Sequence, residues 1–128
     1  MAKTAADLVA EAKQRVENLS VAQVADEVAR GALLVDLREL NERSQQGVIP
    51  GALAAPRGLI EFWADPTSPY HRPELDPARR IIFHCAGGGR SALAADALQE
   101  MGYENVAHLD GGFTAWNAAG QPVVREDG

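Results

Sequence analysis

The chain of 128 residues holds one cysteine, Cys85. A single thiol closes no internal disulfide and cannot anchor a structural zinc site of the multi-cysteine kind. Nothing therefore calls for an oxidising compartment, and a reducing cytoplasm is the expected location. Long apolar runs are missing too, so no bilayer span is expected. The amino-terminal Met1-Ala2-Lys3-Thr4 leads into alternating charges rather than the apolar core of a signal peptide. Positive charge is scarce: 12 Lys and Arg against 18 Asp and Glu give a net charge of −6 with no basic cluster. That balance argues against nucleic acid or an anionic membrane as the main partner. It does not exclude a small anion, because the field at one loop is set by the donors beside it. The length suits one domain with a real core and is too short for two.

What the chain does contain is concentrated around its cysteine. The apolar run Ile81-Ile82-Phe83 leads through His84 into Cys85, followed by Ala86, then Gly87-Gly88-Gly89, Arg90 and Ser91. Ser91 to Leu98 is rich in strong helix formers, and Gly102 is placed to close that helix at Met101. The pattern predicts strand, glycine-rich turn and helix. Such a turn aims backbone N–H groups at one point, and the helix N-terminus adds positive potential there. A thiol held at that point ionises more readily than a free one. The competing reading makes Cys85 a small buried apolar residue, as free cysteines usually are; an arginine and a helix start directly after the glycines favour the thiolate cradle.

The remaining elements support this stretch. Leu8, Ala12 and Val16 recur at a spacing of four and predict an amphipathic helix over 4–18 that packs on its own domain. Ser20 with Gln23 forms a capping box for a helix carrying Val21, Val24, Ala25 and Val28, with Gly31 ending it. Leu33-Leu34-Val35 reads as a strand buried on both faces, ending in Asp36-Leu37-Arg38-Glu39. Leu53-Ala54-Ala55 is a minimal strand, and Arg57 to Trp63 a short helix. The stretch 64–77 carries Pro66, Pro69, Pro73 and Pro77 and reads as a long loop, of the kind that often has a functional role. Asn105 to Leu109 is another strand, and Asp110-Gly111-Gly112 turns into a helix over 113–118. Alternating strands and helices imply a parallel sheet covered on both faces. Ligands bind such sheets beyond the carboxyl ends of the strands, where Asp36, Cys85 and Asp110 should converge.

Four segments carry a family resemblance: Val35-Asp36-Leu37-Arg38-Glu39 with Glu42; Gly47-Val48-Ile49-Pro50-Gly51-Ala52; Cys85 to Ser91; and Asp110-Gly111-Gly112-Phe113-Thr114-Ala115-Trp116. In this order and spacing the chain resembles a single-domain rhodanese over roughly residues 20–123. The resemblance implies a three-layer α/β fold, with a mostly parallel sheet of about five short strands between helices. It divides the chain into an amphipathic helical extension (1–19), a rhodanese-like domain (20–124) and a frayed tail (125–128). Two positions depart from the family pattern: Val48 replaces a common histidine and Arg43 a usual aromatic residue.

The resemblance also implies a chemistry. Cys85 would be the nucleophile, taking sulfur from a small anionic donor such as thiosulfate and passing it to cyanide, a thiol or a protein acceptor. No metal or organic cofactor is needed. Substrate would be held by Ala86, Gly87, Gly88, Gly89, Arg90 and Ser91, with Asp36, Arg38, Arg57 and Trp63 as candidate supports. A persulfide carrier serving a partner protein is the alternative of another class. Phosphatases of the same fold have one more residue between cysteine and arginine. Here only the four residues Ala86 to Gly89 intervene, which disfavours that reading. His84 points away from Cys85 along a strand and is expected to pack rather than act as a base. His108 and Trp116 are likewise assigned to packing, Gly111 and Gly112 to permitting a turn, and Phe62, Tyr70 and His71 to the wall or lid of the pocket.

Overall fold

The structure, a computed structural model, describes residues 2–126. Helix α1 (Ala5–Arg15) starts at Thr4, whose hydroxyl accepts the Asp7 N–H while the Asp7 carboxylate accepts the Thr4 N–H. The sequence predicts helix as far as Asn18, but the helix stops at Arg15 and Glu17–Leu19 forms strand β1. Asn18 explains the change. Its amide Nδ2 donates to the carbonyls of Lys13 and Val16, at 2.9 and 3.1 Å, and so satisfies groups that a helix end leaves open. The Leu19 carbonyl then accepts the Asp110 N–H at 2.9 Å. As expected, α1 packs on its own domain: Arg15 forms two hydrogen bonds to Asp96, and Gln99 donates to the Arg15 carbonyl.

Helix α2 (Val21–Ala29) carries the Ser20–Gln23 capping box read from the sequence. Strand β2 (Leu33–Asp36) follows, then α3 (Leu40–Gln46), which no apolar periodicity announces because it buries no side chain. Strand β3 (Leu53–Ala54) leads through a 3₁₀ turn (Arg57–Leu59) into α4 (Ile60–Ala64). Strand β4 (Ile81–His84), helix α5 (Gly89–Glu100), strand β5 (Val106–Leu109) and helix α6 (Gly112–Ala118) complete the fold.

All five strands are parallel, in the order β1-β5-β4-β2-β3. The central strands alternate between two cores, which is why they read as continuous apolar runs rather than as half-polar strands. Val35, Ile81 and Phe83 face α4 and α5, against Ile60, Ala94, Ala95 and Leu98. Leu34, Ile82 and Leu109 face α2 and α6, against Val24, Phe113 and Trp116.

The proline-rich stretch is tied to the core. Leu75 is fully buried, and the Tyr103 hydroxyl lies between the Ala64 and Leu75 carbonyls at 2.7 and 2.8 Å, able to donate to either. Val48 pairs with Val124 in an antiparallel bridge. Arg43 lies beside Asp36 and pairs with Glu126. Both family departures thus serve local packing, and they hold part of the tail expected to fray: Arg125 donates to the Ser44 carbonyl at 3.1 Å. Asp127 and Gly128 lie outside the described residues. Among the described residues no helix is long and apolar enough to cross a membrane.

Candidate active site

The register pairs Asp36 with His84 and Phe83 with His108, so β2, β4 and β5 end at the same edge. Asp36, Cys85 and Asp110 therefore lie at that edge, with Asp36 paired to Arg38 and Asp110 to Lys13 rather than to the thiol. Cys85 leaves β4 and turns straight into α5. Gly88, the residue before the helix, has φ +107°, a left-handed conformation that glycine adopts without strain. This turn directs the Gly88 N–H onto Cys85 Sγ at 3.2 Å. Ser91, one turn into the sequence, is fully buried with its Oγ 3.6 Å from the sulfur. Cys85 itself is 1% exposed.

The loop is held from outside by α6. The carbonyls of Cys85 and Ala86 accept the N–H groups of Phe113 and Thr114 at 2.8 and 3.1 Å. With these two carbonyls tied outward, the loop is held in the turn that brings the Gly88 N–H onto the sulfur. Gly112 is more than a turn former. A Cβ there would lie 2.5 Å from the Ala86 oxygen and 2.6 Å from the Cys85 oxygen, so the α6 backbone must be bare to reach the loop. The three glycines of the loop also differ among themselves. A Cβ on Gly88 would meet the Gly111 nitrogen at 3.2 Å, one on Gly89 would touch Val9 at 3.6 Å, and one on Gly87 would meet nothing within 4 Å. Val9 brings α1 to the rim of the site.

Arg90 is clamped by Glu42. Its two terminal nitrogens donate to the two carboxylate oxygens, each at 2.8 Å, a bidentate geometry that fixes the guanidinium plane. The pair raises Arg90 above its ordinary range, with the Cys85 sulfur adding to the effect. The Arg90 hydrogen bonds hold Glu42 down to about 2, burial opposing and the Glu39 N–H assisting. The sequence places Glu42 in a motif without giving it a role.

Asp36 and Arg38 are both buried and form a two-bond pair at 3.1 and 2.9 Å. Burial pushes Asp36 up, but the Arg38 hydrogen bonds bring it below the usual carboxylate range. Arg38 also donates to the Gly47 carbonyl at 2.9 Å and lies 4.0 Å over the Phe113 ring. It therefore supports α6, and the loop only through α6. Arg57 pairs with Glu61 at 3.0 Å. Trp63 stacks under Arg72, 4.6 Å from its ring centre, and its carbonyl meets His71 Nδ1 at 2.9 Å. None of these bonds reaches the cysteine loop. Phe62 and Tyr70 are exposed. His84 is fully buried, packed beside Asp36 with Nε2 3.6 Å from Oδ2. His108, expected only to pack, is bonded to Ser91 Oγ through Nδ1 at 2.9 Å and to Asn18 Oδ1 through Nε2 at 2.7 Å.

The Glu42–Arg90 pair has a testable acid dependence. A carboxyl group held at about 2 when folded, against about 4.3 when unfolded, contributes stability that is complete above the higher value. That contribution fades as pH falls towards the lower one. Partly exposed pairs of this kind are worth about 1 kcal/mol at most. Glu42→Gln should thus be less stable than the parent by up to about that amount at pH 7, and the gap should narrow towards pH 3. Urea unfolding at the two pH values measures it, and an equal gap at both would show that Glu42 does not titrate as argued.

A parallel α/β sheet whose central strand delivers a cysteine into a short loop closed by an arginine defines a class of cysteine-dependent domains. Residues 20–119 match the family described as Rhodanese-like domain. The chain belongs to that family. It is similar to a protein named sulfurtransferase from Allochromatium vinosum, 38% identical over 96 residues, covering 75% of this chain and 81% of that one. It is also similar to the thiosulfate sulfurtransferase GlpE of Pseudoalteromonas translucida, 35% identical over 104 residues, covering 80% and 90%. Among solved structures, a Rhodopseudomonas palustris protein named as of unknown function, possible tyrosine phosphatase, superposes with a TM-score of 0.91. It is 39% identical, with coverage of 97% and 96%.

Proposed function

We propose that this protein moves sulfane sulfur from a small anionic donor such as thiosulfate to a thiophilic acceptor, with Cys85 carrying the sulfur as a persulfide. The Cys85 thiolate attacks the outer sulfur of the donor, a new S–S bond forms, and sulfite leaves with the electron pair of the bond that breaks. A thiol, cyanide or protein nucleophile then takes the outer sulfur and the thiolate is restored. Splitting the transfer this way predicts ping-pong kinetics.

The observation that carries the reading is the tight turn from Cys85 to Arg90, with four residues between them and the Gly88 N–H directed at the sulfur. A loop of this length, with one N–H on the sulfur, fits a single anionic sulfur atom rather than the wider oxygen shell of a phosphoryl group. The sulfurtransferase names of two relatives support the same direction. Around Gly87 the mouth of the loop is open, which also suits delivery to a partner protein's thiol; slow turnover with cyanide alongside full loading would select that carrier reading.

Intact mass after treatment with thiosulfate tests the proposal. A gain of about 32 Da, one sulfur atom, is expected on the peptide holding Cys85. Absence of any gain with thiosulfate, a persulfide and polysulfide would overturn it. Hydrolysis of an aryl phosphate with no sulfur loading would select the phosphatase chemistry named for the Rhodopseudomonas relative.

A further inference from the structure

From the buried cysteine a line of polar groups runs outward to Asn18, an exposed residue on the edge strand β1. Cys85 Sγ is 3.6 Å from Ser91 Oγ, Ser91 Oγ is 2.9 Å from His108 Nδ1, and His108 Nε2 is 2.7 Å from Asn18 Oδ1. Cys85, Ser91 and His108 are each at most 1% exposed. The direction of every bond follows from the far end. Asn18 uses Nδ2 to donate to the Lys13 and Val16 carbonyls, so its oxygen faces His108. An oxygen acceptor there requires the ring proton on Nε2 and leaves Nδ1 as an acceptor. Ser91 must then give its one hydroxyl proton to Nδ1. It meets Cys85 with a lone pair, fit to accept from a thiol and unfit to donate to an anionic sulfur.

We propose that His108 is a proton-coupled positioning residue, which through Ser91 switches the loop between holding a Cys85 thiol and holding an anionic sulfur on Cys85. When Cys85 ionises, its proton moves to Ser91 Oγ as the Ser91 proton moves to His108 Nδ1. One S–H and one O–H bond break, one O–H and one N–H bond form, and no proton leaves the site. The whole line reverses: Nδ1–H now donates to Ser91, and Ser91 donates to the sulfur beside the Gly88 N–H. The imidazolium stays opposite the persulfide anion. It returns its proton by the same route when the acceptor has taken the sulfur and the Cys85 thiol is restored.

The surroundings keep this switch at rest until the sulfur is charged. Burial lowers His108 to about 4; Asp110 works against that, Lys13 with it, and these two are themselves paired at 3.0 Å. His108 is thus neutral at pH 7 while Cys85 is a thiol. A negative sulfur two hydrogen bonds away in a buried site favours the charged ring. By linkage, the ring's proton favours the anionic sulfur equally. The N-terminal segment therefore contributes to the site, because Asn18 selects the tautomer on which the switch depends.

The inference rests on Cys85 carrying an anionic sulfur, and its test separates the two. Nitrogen-resolved NMR of the His108 ring is followed against pH in the thiol protein and after sulfur loading, with loading verified by mass. The thiol form should carry its single proton on Nε2. Loading should raise the ring's titration midpoint by about three pH units, from about 4 to near neutrality, a thousandfold change in proton affinity. In Ser91→Ala the rise should be clearly smaller, since the charges then interact only through space. A ring protonated on Nδ1 in the thiol form, no rise on loading, or an equal rise in Ser91→Ala would each overturn the proposal. If no donor loads Cys85, the sulfur-transfer reading fails on its own. Oxidation of Cys85 to the permanently anionic sulfinate then supplies the charge for the same His108 measurement, judged by the same outcomes.

Discussion

Cys85→Ser should abolish sulfur loading and lower transfer by at least about a thousandfold, the scale of loss when a covalent nucleophile is removed. A serine hydroxyl is not ionised near neutral pH, and the loop offers it no general base within reach other than the line through Ser91. The protein should nevertheless fold. The replacement is nearly isosteric, and the Gly88 N–H that meets Sγ at 3.2 Å can meet an oxygen instead. Ser91 stands ready as a second partner. A buried polar group with partners costs little, so unfolding free energy should change by no more than about 1–2 kcal/mol. The comparison needs intact mass and steady-state transfer for function, and urea denaturation for stability. Transfer within tenfold of the parent would mean that sulfur passes without Cys85, and the mechanism would have to be abandoned.

The sequence made the turn at Cys85 legible because an apolar strand, a glycine run and a helix start follow one another in one short segment. Apolar runs at Leu33-Leu34-Val35 and Ile81-Ile82-Phe83 are continuous because both faces of those strands are covered, and their alternation with helices implies the parallel sheet. Elements without an apolar signal were harder to read. Strand β1 has three residues and only Leu19 is buried; it exists because β5 offers it an edge and Asn18 closes the helix before it. Helix α3 buries nothing, and Leu40 at its start is 69% exposed, so it carries no stripe to recognise. Glu42 on that helix holds Arg90, a contact across 48 positions that spacing cannot encode. His108 failed differently. A histidine before a leucine at a strand end looks like packing, and only its two partners, Ser91 and Asn18, reveal a polar line. Arg57 and Trp63 looked suited to an anion pocket by type, yet their partners Glu61 and Arg72 lie within the same short segment of chain.

Gly112→Ala should be the most damaging change to the fold of the site. Glycine is required there for two separate reasons. The backbone has φ +59°, a region that costs an L side chain about 1–2 kcal/mol. The added Cβ would also sit 2.5 and 2.6 Å from the Ala86 and Cys85 oxygens, inside any real contact distance. Those oxygens are the acceptors of the Phe113 and Thr114 N–H groups, so relieving the clash means lengthening the bonds that anchor the loop. Overpacking of this kind adds about 1–3 kcal/mol, for a combined loss of about 2–5 kcal/mol. The effect on chemistry follows from the same displacement. If Cys85 and Ala86 move outward, the Gly88 N–H no longer points at the sulfur, and a shift on the order of 1 Å costs about a hundredfold in rate. Gly87→Ala is the matched control, since a Cβ there meets nothing within 4 Å and the backbone is not left-handed. It should change stability by less than about 1 kcal/mol, with any gain coming from a less flexible unfolded chain. Chemical denaturation of the two variants beside the parent decides the matter. Equal stability of Gly112→Ala and Gly87→Ala would mean that α6 does not press on the loop, and the account of how this fold aims its cysteine would fall with it.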